Sequence, residues 1–112
     1  MAHPQLEHGY ILLTFKPGRR QGNIQKLIGT KTTIPGELSV EGQPRAMSGL
    51  RIDSIDVMED PTDDVIVEVT TVHPLKRKGP GHYQIEALTD WLAGQFRDDL
   101  ADHKHWCCIS DM

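Results

Sequence analysis

An apolar stripe in the last third of the chain constrains the fold more than any other feature of the sequence. Within residues 83–101, apolar side chains recur at steps of three or four, the period of one helix face. They are Ile85, Leu88, Leu92, Phe96 and Leu100, with Trp91 beside them. A helix gains most of its stability by burying such a face against another element. We therefore predict one long amphipathic helix over residues 83–101, and we interpret Gly94 as a point of close packing on a sheet.

Two segments in the middle of the chain indicate the sheet that this helix covers. Residues 65–73 are almost wholly β-branched, with alternate valines on one face. Residues 50–58 also alternate, but the alternation slips by one step between Ile52 and Ile55. A β-bulge produces such a slip. We predict that the two segments pair as an antiparallel hairpin with a bulge in its first strand.

Weaker patterns complete the predicted architecture. They give further strands at residues 9–16 and 37–41, a helical turn at 23–28, a loop at 42–49, and a short strand or packed tail at 106–109. The predicted class is α+β: a small antiparallel β-meander of about four to five strands packed against one long C-terminal amphipathic helix. Residues 1–8 are expected to be a flexible leader, and residues 9–112 a single domain.

Charge and cysteine content limit the kinds of partner and the cellular compartment that are expected for the protein. The net charge of −4 argues against a nucleic-acid binder that relies on its overall charge. The two cysteines, Cys107 and Cys108, are adjacent, and neighbours do not easily form an unstrained disulfide. Without a disulfide framework, a reducing compartment is favoured, so we expect a cytoplasmic protein. No stretch resembles a signal peptide or a membrane span.

Two basic clusters stand out in this acidic chain. From His8 to Gly36 there are five cations and no acid, and a second cluster lies in the loop rich in proline and glycine that precedes the long helix. Loops of this kind can present cations and backbone N–H groups to phosphates, although solvated loop charges are the simpler interpretation. Lys31 belongs to the first cluster; the candidate binding residues are Lys16, Arg19, Arg20, Lys26, Lys76, Arg77, Lys78 and His82.

The end of the chain contains possible zinc ligands. In an extended segment, His103, His105 and Cys107 point to one face, with His82 or His73 as a fourth ligand. Structural zinc sites usually combine two ligand clusters, and only one is visible. A solvated histidine pair beside a helix C-terminus explains the pattern better, so we expect no metal. No P-loop or dinucleotide glycine pattern is present, and no cofactor is expected.

Some residues near the second basic cluster and the end of the chain could serve in catalysis. His73, His82 and Tyr83 flank the second basic cluster and could carry out acid–base chemistry on a phosphate ester. Cys107, close to His105, could act as a thiolate nucleophile. No nucleophile elbow or paired-carboxylate spacing accompanies these residues. Ordinary loop histidines are therefore favoured, and the sequence predicts that the protein is not an enzyme.

The function predicted from sequence follows mainly by elimination. It is a non-enzymatic interaction or assembly protein that contacts another protein or a second copy of itself, such as a particle subunit or a small phage-encoded inhibitor. Charge segregated into blocks and exposed sheet edges support docking of this kind. Two alternatives stay open: nucleic-acid or phosphate binding through residues 16–31 and 76–78, and a small zinc-dependent or histidine-based enzyme.

Overall fold

An antiparallel sheet, a separate hairpin and two α-helices form the part of the chain that the computed structural model describes, residues 6–59 and 63–107. The elements are β1 (Glu7–Phe15), α1 (Ile24–Gly29), β2 (Glu37–Val40), β3 (Gln43–Ala46), β4 (Leu50–Val57), β5 (Asp64–Thr71), α2 (Pro80–Gln95) and β6 (Leu100–Cys107). Two short 3-10 turns, Gln21–Asn23 and Thr30–Thr32, flank α1.

The four-stranded sheet has the order β4-β5-β1-β6, and all of its neighbouring strands are antiparallel. Two interleaved units, β1-α1-β4 and β5-α2-β6, produce this order, which is the split βαβ arrangement of ferredoxin-like folds. The β2–β3 hairpin is inserted between α1 and β4. The α+β class, the antiparallel sheet and the single long helix are thus confirmed. The strand order differs from that of a meander, in which successive strands of the chain lie side by side. In this sheet only β4 and β5 are neighbours both in the chain and in space.

The core lies between α2 and one face of the sheet. In the pairing of β1 with β5, Ile11 is opposite Val67 and Leu13 is opposite Val65, and all four side chains are fully buried. The apolar stripe of α2 belongs to the same cluster, and its fully buried members are Ile85, Leu88 and Leu92. The predicted packing of the helix stripe on the valine face is confirmed.

The long helix has different ends from those predicted. It begins at Pro80 because proline fits the first helical position, where its missing N–H needs no partner. It ends at Gln95, and the chain then turns tightly, with the N–H groups of Asp99 and Leu100 both bonded to the carbonyl of Phe96 at 2.9 and 3.1 Å. Leu100 already belongs to β6. Its position in the sequence matches the helical spacing because β6 points the Leu100 side chain toward the same core as the helix.

Local turn chemistry explains two further features. Residues 42–49, predicted as a loop, contain β3. A two-residue turn at Glu41 and Gly42, with φ of 51° and 78°, joins it to β2. Positive φ at both positions is the geometry of a type I′ hairpin turn. The predicted bulge is confirmed, since the β4–β5 register shifts between Ile52 and Ser54.

The structure of the helices bears on the predicted role of Gly94 and on the predicted lack of a membrane span. A Cβ added at Gly94 would meet nothing within 4 Å, so the interpretation of Gly94 as a close-packing point is wrong. Among the residues described, no helix is long and apolar enough to cross a membrane. The predicted tail at 106–109 overlaps the end of β6, while residues 108 and 109 lie outside the described residues.

Candidate acid–base site

The sheet topology brings two histidines from distant parts of the chain to the first turns of α2. His82 lies on α2, and His105 lies on the edge strand β6, opposite Ile11 of β1. Their rings are 5.9 Å apart between centroids and cross at 70°. Glu86, one helical turn after His82, places a carboxylate oxygen 3.7 Å from His82 Nε2. The result is a small titratable cluster at the interface of helix and edge strand.

Burial and neighbouring charges set the protonation of His105. Burial lowers the pKa of His105 below its usual 6.5, and the adjacent His82 lowers it further. The carboxylates of Glu86 and Asp90 act in the opposite direction, and His103 adds a smaller lowering effect. The net effect is a lowered pKa, so the environment of His105 favours the neutral imidazole over the cation more than water does. When its ring gains a proton, two carboxylates are close enough to stabilise the imidazolium.

His82 is partly buried, like its partner His105. Its side chain is 25% exposed, and its Nδ1 is buried without a hydrogen-bond partner among the described residues. Buried polar atoms normally have a partner, so an unpaired one needs a physical explanation, of which a catalytic role is one. His82 can form an ion pair with Glu86 when protonated, and this pair fixes one wall against which the His105 ring packs.

A groove lies further along the same two elements, between the later turns of α2 and the start of β6. Its volume is about 450 Å³, within the range of sites for small molecules. His103 occupies the same face of β6 as His105, two residues away, and lines the groove together with Asp90 of α2. The remaining lining residues are Ala93, Gly94, Arg97, Leu100, Ala101 and Asp102. A small polar molecule in the groove would therefore lie beside the residues that set the charge of His105.

The opposite side of the first turn of α2 faces β3. Tyr83 lies next to His82, with ring centroids 6.0 Å apart. The guanidinium carbon of Arg45, on β3, lies 4.0 Å from the centroid of the Tyr83 ring. Tyr83 thus connects the histidine pair with a cation held by the hairpin.

The side chains of the first basic cluster contact carbonyl and carboxylate groups of the protein itself. Lys16 donates from Nζ to the carbonyl of Asp98 at 2.9 Å, and Lys26 donates to that of Gln95 at 3.1 Å, so both compensate carbonyls at the end of α2. Other members are held in the same way: Arg19 by Asp99 at 3.9 Å, Arg20 by the carbonyls of Met58 and Asp64, and Lys31 by that of Asp53. These cations bind other parts of the protein itself.

The side chains of the second basic cluster, in contrast, are exposed to solvent. Lys76, Arg77 and Lys78 are exposed, and in the described part of the chain their side chains form no hydrogen bond or ion pair. They precede α2, whereas the first cluster lies at its other end. An α-helix of 16 residues is about 24 Å long. The two clusters therefore do not form a single basic surface.

The zinc candidates are only partly brought together. His103 and His105 share a face and His82 is near His105, but no group of three His, Cys, Asp or Glu residues within the described residues is arranged to hold a metal. The Cys107 side chain and the whole of Cys108 lie outside the described part. His73 is placed elsewhere, with Nε2 3.2 Å from the carbonyl oxygen of Ser48.

Sequence reasoning singled out His82 and His105 but missed the residues that set their chemistry. Glu86 follows His82 by four residues, the spacing of adjacent side chains on a helix face. Because the helix was predicted to begin at residue 83, His82 was assigned to the preceding loop. Its spacing from Glu86 therefore did not indicate that the two side chains share a helix face. Arg45 gave no signal, because its segment was predicted as a loop.

The lowered pKa of His105 predicts that acid destabilises the protein. Between the unfolded value of 6.5 and the lower folded value, the unfolded chain binds more protons, so the free energy of unfolding falls as pH decreases through that window. We expect His105→Gln to lose less stability than wild type between about pH 7.5 and about pH 5.5 in urea unfolding. The side chains facing His105 are His82, Glu86, Asp90 and His103. Parallel pH curves for the two proteins would contradict this expectation.

Comparison with known proteins gives one match. No family model and no curated protein matches the chain. Among solved structures, the chain is similar to a protein from Chloroflexus aurantiacus J-10-fl described as a "putative Antibiotic biosynthesis monooxygenase", with 16% sequence identity, a TM-score of 0.44, and coverage of 96% of this chain and 97% of that one.

That match corrects the function expected from sequence. The expectations were a non-enzymatic interaction or assembly protein, a phage-encoded role, and no enzymatic activity. The matched chain is described as an enzyme. At 16% identity and a TM-score of 0.44, the likeness does not transfer an activity, so any activity of this chain has to be inferred from its own side chains. The expected partners, another protein, a second copy or nucleic acid, stay predictions.

Proposed function

We propose that this protein is a small enzyme in which His105 acts as general base on a small molecule bound at the end of the groove between α2 and β6 that Asp90 and His103 line. The observation that carries the proposal is the environment of His105. Burial and His82 favour its neutral imidazole, while Glu86 and Asp90 are near enough to stabilise the charge it acquires. A base needs both conditions: a free lone pair before the reaction and a stabilised cation after it.

The other residues of the cluster support His105 without contacting the reacting atom. His82 packs against the His105 ring, and Glu86 lies within ion-pairing distance of His82. We assign both as positioning residues. His103 and Asp90 line the groove where the molecule would lie. General acid–base catalysis by a placed side chain typically contributes about 10²–10⁴-fold in rate.

A base probe tests the proposal without knowledge of the natural substrate. In 5-nitrobenzisoxazole, a base removes the ring C–H proton, the N–O bond breaks, and a nitrile and a coloured phenolate form. The proton goes to the base, and no other reactant is needed. We expect saturable turnover by the wild-type protein. Its pH profile should rise with deprotonation of one group whose midpoint lies below 6.5, since the pKa of His105 is lowered.

Two variants make this test specific. His105→Gln should lower kcat/KM by about 100-fold or more, because glutamine cannot accept the proton. His8→Gln is the matched control: His8 is exposed, lies on β1 away from the groove, and has its Nδ1 4.0 Å from a carboxylate oxygen of Glu68. Its kcat/KM should equal that of wild type. The proposal fails if wild type is no faster than free imidazole at equal concentration, or if both variants retain the full rate.

We also propose that the protein works in the cytoplasm. The support is the cysteine content: Cys107 and Cys108 are the only two cysteines and are adjacent in sequence, which suits a reducing compartment.

A further inference from the structure

Arg45 is a cation for which the described protein supplies no acid. It lies on β3, is partly buried and stacks on Tyr83, with its guanidinium carbon 4.0 Å from the ring centroid. Its Nε is buried and has no acceptor among the described residues, and no carboxylate of those residues forms an ion pair with it. Arg51, by contrast, lies 3.2 Å from Asp53.

The placement of this guanidinium is costly unless something compensates it. A cation over an aromatic face is attracted by the ring, and this attraction holds the Arg45 side chain in place. It does not replace the missing acceptors, and a charged group removed from water without acceptors is unfavourable. Because Arg45 is only partly buried, a ligand can still reach the residue from solvent. An arginine fixed in position but not neutralised is well suited to bind an anion that arrives from outside.

We propose that Arg45, stacked on Tyr83, binds the carboxylate of a small organic acid. This site lies on the β3 side of the first turn of α2, apart from the groove between α2 and β6. A planar guanidinium presents parallel N–H donors that match the two oxygens of a carboxylate. One guanidinium also balances the single negative charge of such an acid, whereas a phosphate dianion calls for more than one cation.

The site at Arg45 is separate from the base. Two rings lie between them, with centroid separations of 6.0 Å from Tyr83 to His82 and 5.9 Å from His82 to His105. A small acid held on Arg45 therefore does not also reach His105. The exposed cations of the Lys76–Lys78 loop precede the first turn of α2 and favour the approach of an anion.

Binding of benzoate tests the inference directly. In ¹⁵N-labelled protein, the Arg45 Nε–H signal reports on the guanidinium, and benzoate, inorganic phosphate and chloride are titrated separately at equal ionic strength. We expect benzoate to shift this signal saturably, and phosphate and chloride to bind at least about tenfold more weakly. Tighter binding of phosphate than of benzoate, or equal shifts with benzoate and chloride, would overturn the inference.

Variants separate a specific site from general attraction. Arg45→Gln should weaken benzoate binding by at least about tenfold, followed by the backbone amide of His82, because the donors are lost. Arg45→Lys keeps the charge and should weaken binding to a similar extent, since lysine lacks the paired donors. The control Arg51→Gln removes one cation elsewhere and should bind as wild type. Unchanged binding in a folded Arg45→Lys protein would contradict a paired-donor contact.

The failure of this inference can be told apart from the failure of the proposed function. His105→Gln removes the base and leaves Arg45 and Tyr83 in place, so it should bind benzoate within about twofold of wild type. If wild type abstracts protons through His105 but benzoate does not shift the Arg45 signal, this inference alone is wrong. If benzoate binds at Arg45 and no His105-dependent proton transfer is found, the proposed function is wrong and Arg45 remains an acid-binding site.

Discussion

Gly81→Ala is expected to lower the free energy of unfolding by about 3 kcal/mol, because the first turn of α2 is pressed against the loop before it. A Cβ at this position would lie 2.7 and 2.8 Å from the carbonyl oxygens of His73 and Pro74. Both are backbone atoms, which cannot rotate away as the end of a flexible side chain would. Relief requires the helix start to move, and the neighbouring His82 and Tyr83 would move with it.

Gly94→Ala is the matched control in the same helix. Nothing lies within 4 Å of a Cβ placed there, and alanine is the better helix former, so this variant should be more stable by up to about 1 kcal/mol. Urea unfolding followed by circular dichroism measures both changes. Equal midpoints for the two variants would show that the contact at Gly81 does not constrain the helix start.

Leu88→Ala is expected to cost about 3 kcal/mol, since it removes the centre of the apolar stripe. Leu88 has no exposed surface and belongs to the same cluster as Val67 and Ile11 of the sheet. Close-packed surroundings of this kind collapse only partly around a lost side chain, so the cost includes a cavity as well as the transfer of the missing atoms. The unfolding midpoint in urea, at unchanged slope, measures it.

Ile28→Ala provides the comparison for that core substitution. Ile28 lies on α1 and is 44% exposed, so its truncation should cost less than about 1 kcal/mol. If both truncations cost the same, the packing of α2 on the sheet would not be the main source of stability.

The periodic elements could be predicted from sequence because periodicity follows from burial. The stripe of α2 and the alternation in β4 and β5 each reflect one covered face, and even the bulge after Ile52 was visible as a slip in that alternation. Periodicity does not mark where an element ends. Leu100 fitted the helical spacing although it lies on a strand, since both elements point side chains to one core.

Strand order was less accessible to sequence reasoning than strand position. Pairing of β1 with β6 depends on contacts between residues far apart in the chain, and nothing in either segment specifies its partner. The candidate site depends on that pairing, because His105 meets His82 only after β6 has aligned beside β1. The two histidines were visible as residues, and their relation was not.

The basic clusters show the same limit for charge. Both look alike as runs of cations in glycine-containing loops. Lys16 and Lys26 are occupied by carbonyls at the end of α2, whereas Lys76 has no such partner among the described residues. Sequence gives the sign of a charge, and its availability depends on which backbone carbonyls fold against it.

The central position of β1 has a consequence for synthesis on the ribosome. β1 is translated before both of its neighbours in the sheet, β5 and β6, and β6 emerges after all the other elements described. While the nascent chain is short, the apolar side chains of Ile11, Leu12 and Leu13 have no strand to pair with. The sheet is complete only when β6, the last strand made, has paired with β1. Folding of the whole sheet is therefore delayed until late in translation. Chaperones that shield apolar segments should therefore bind near β1 of the nascent chain.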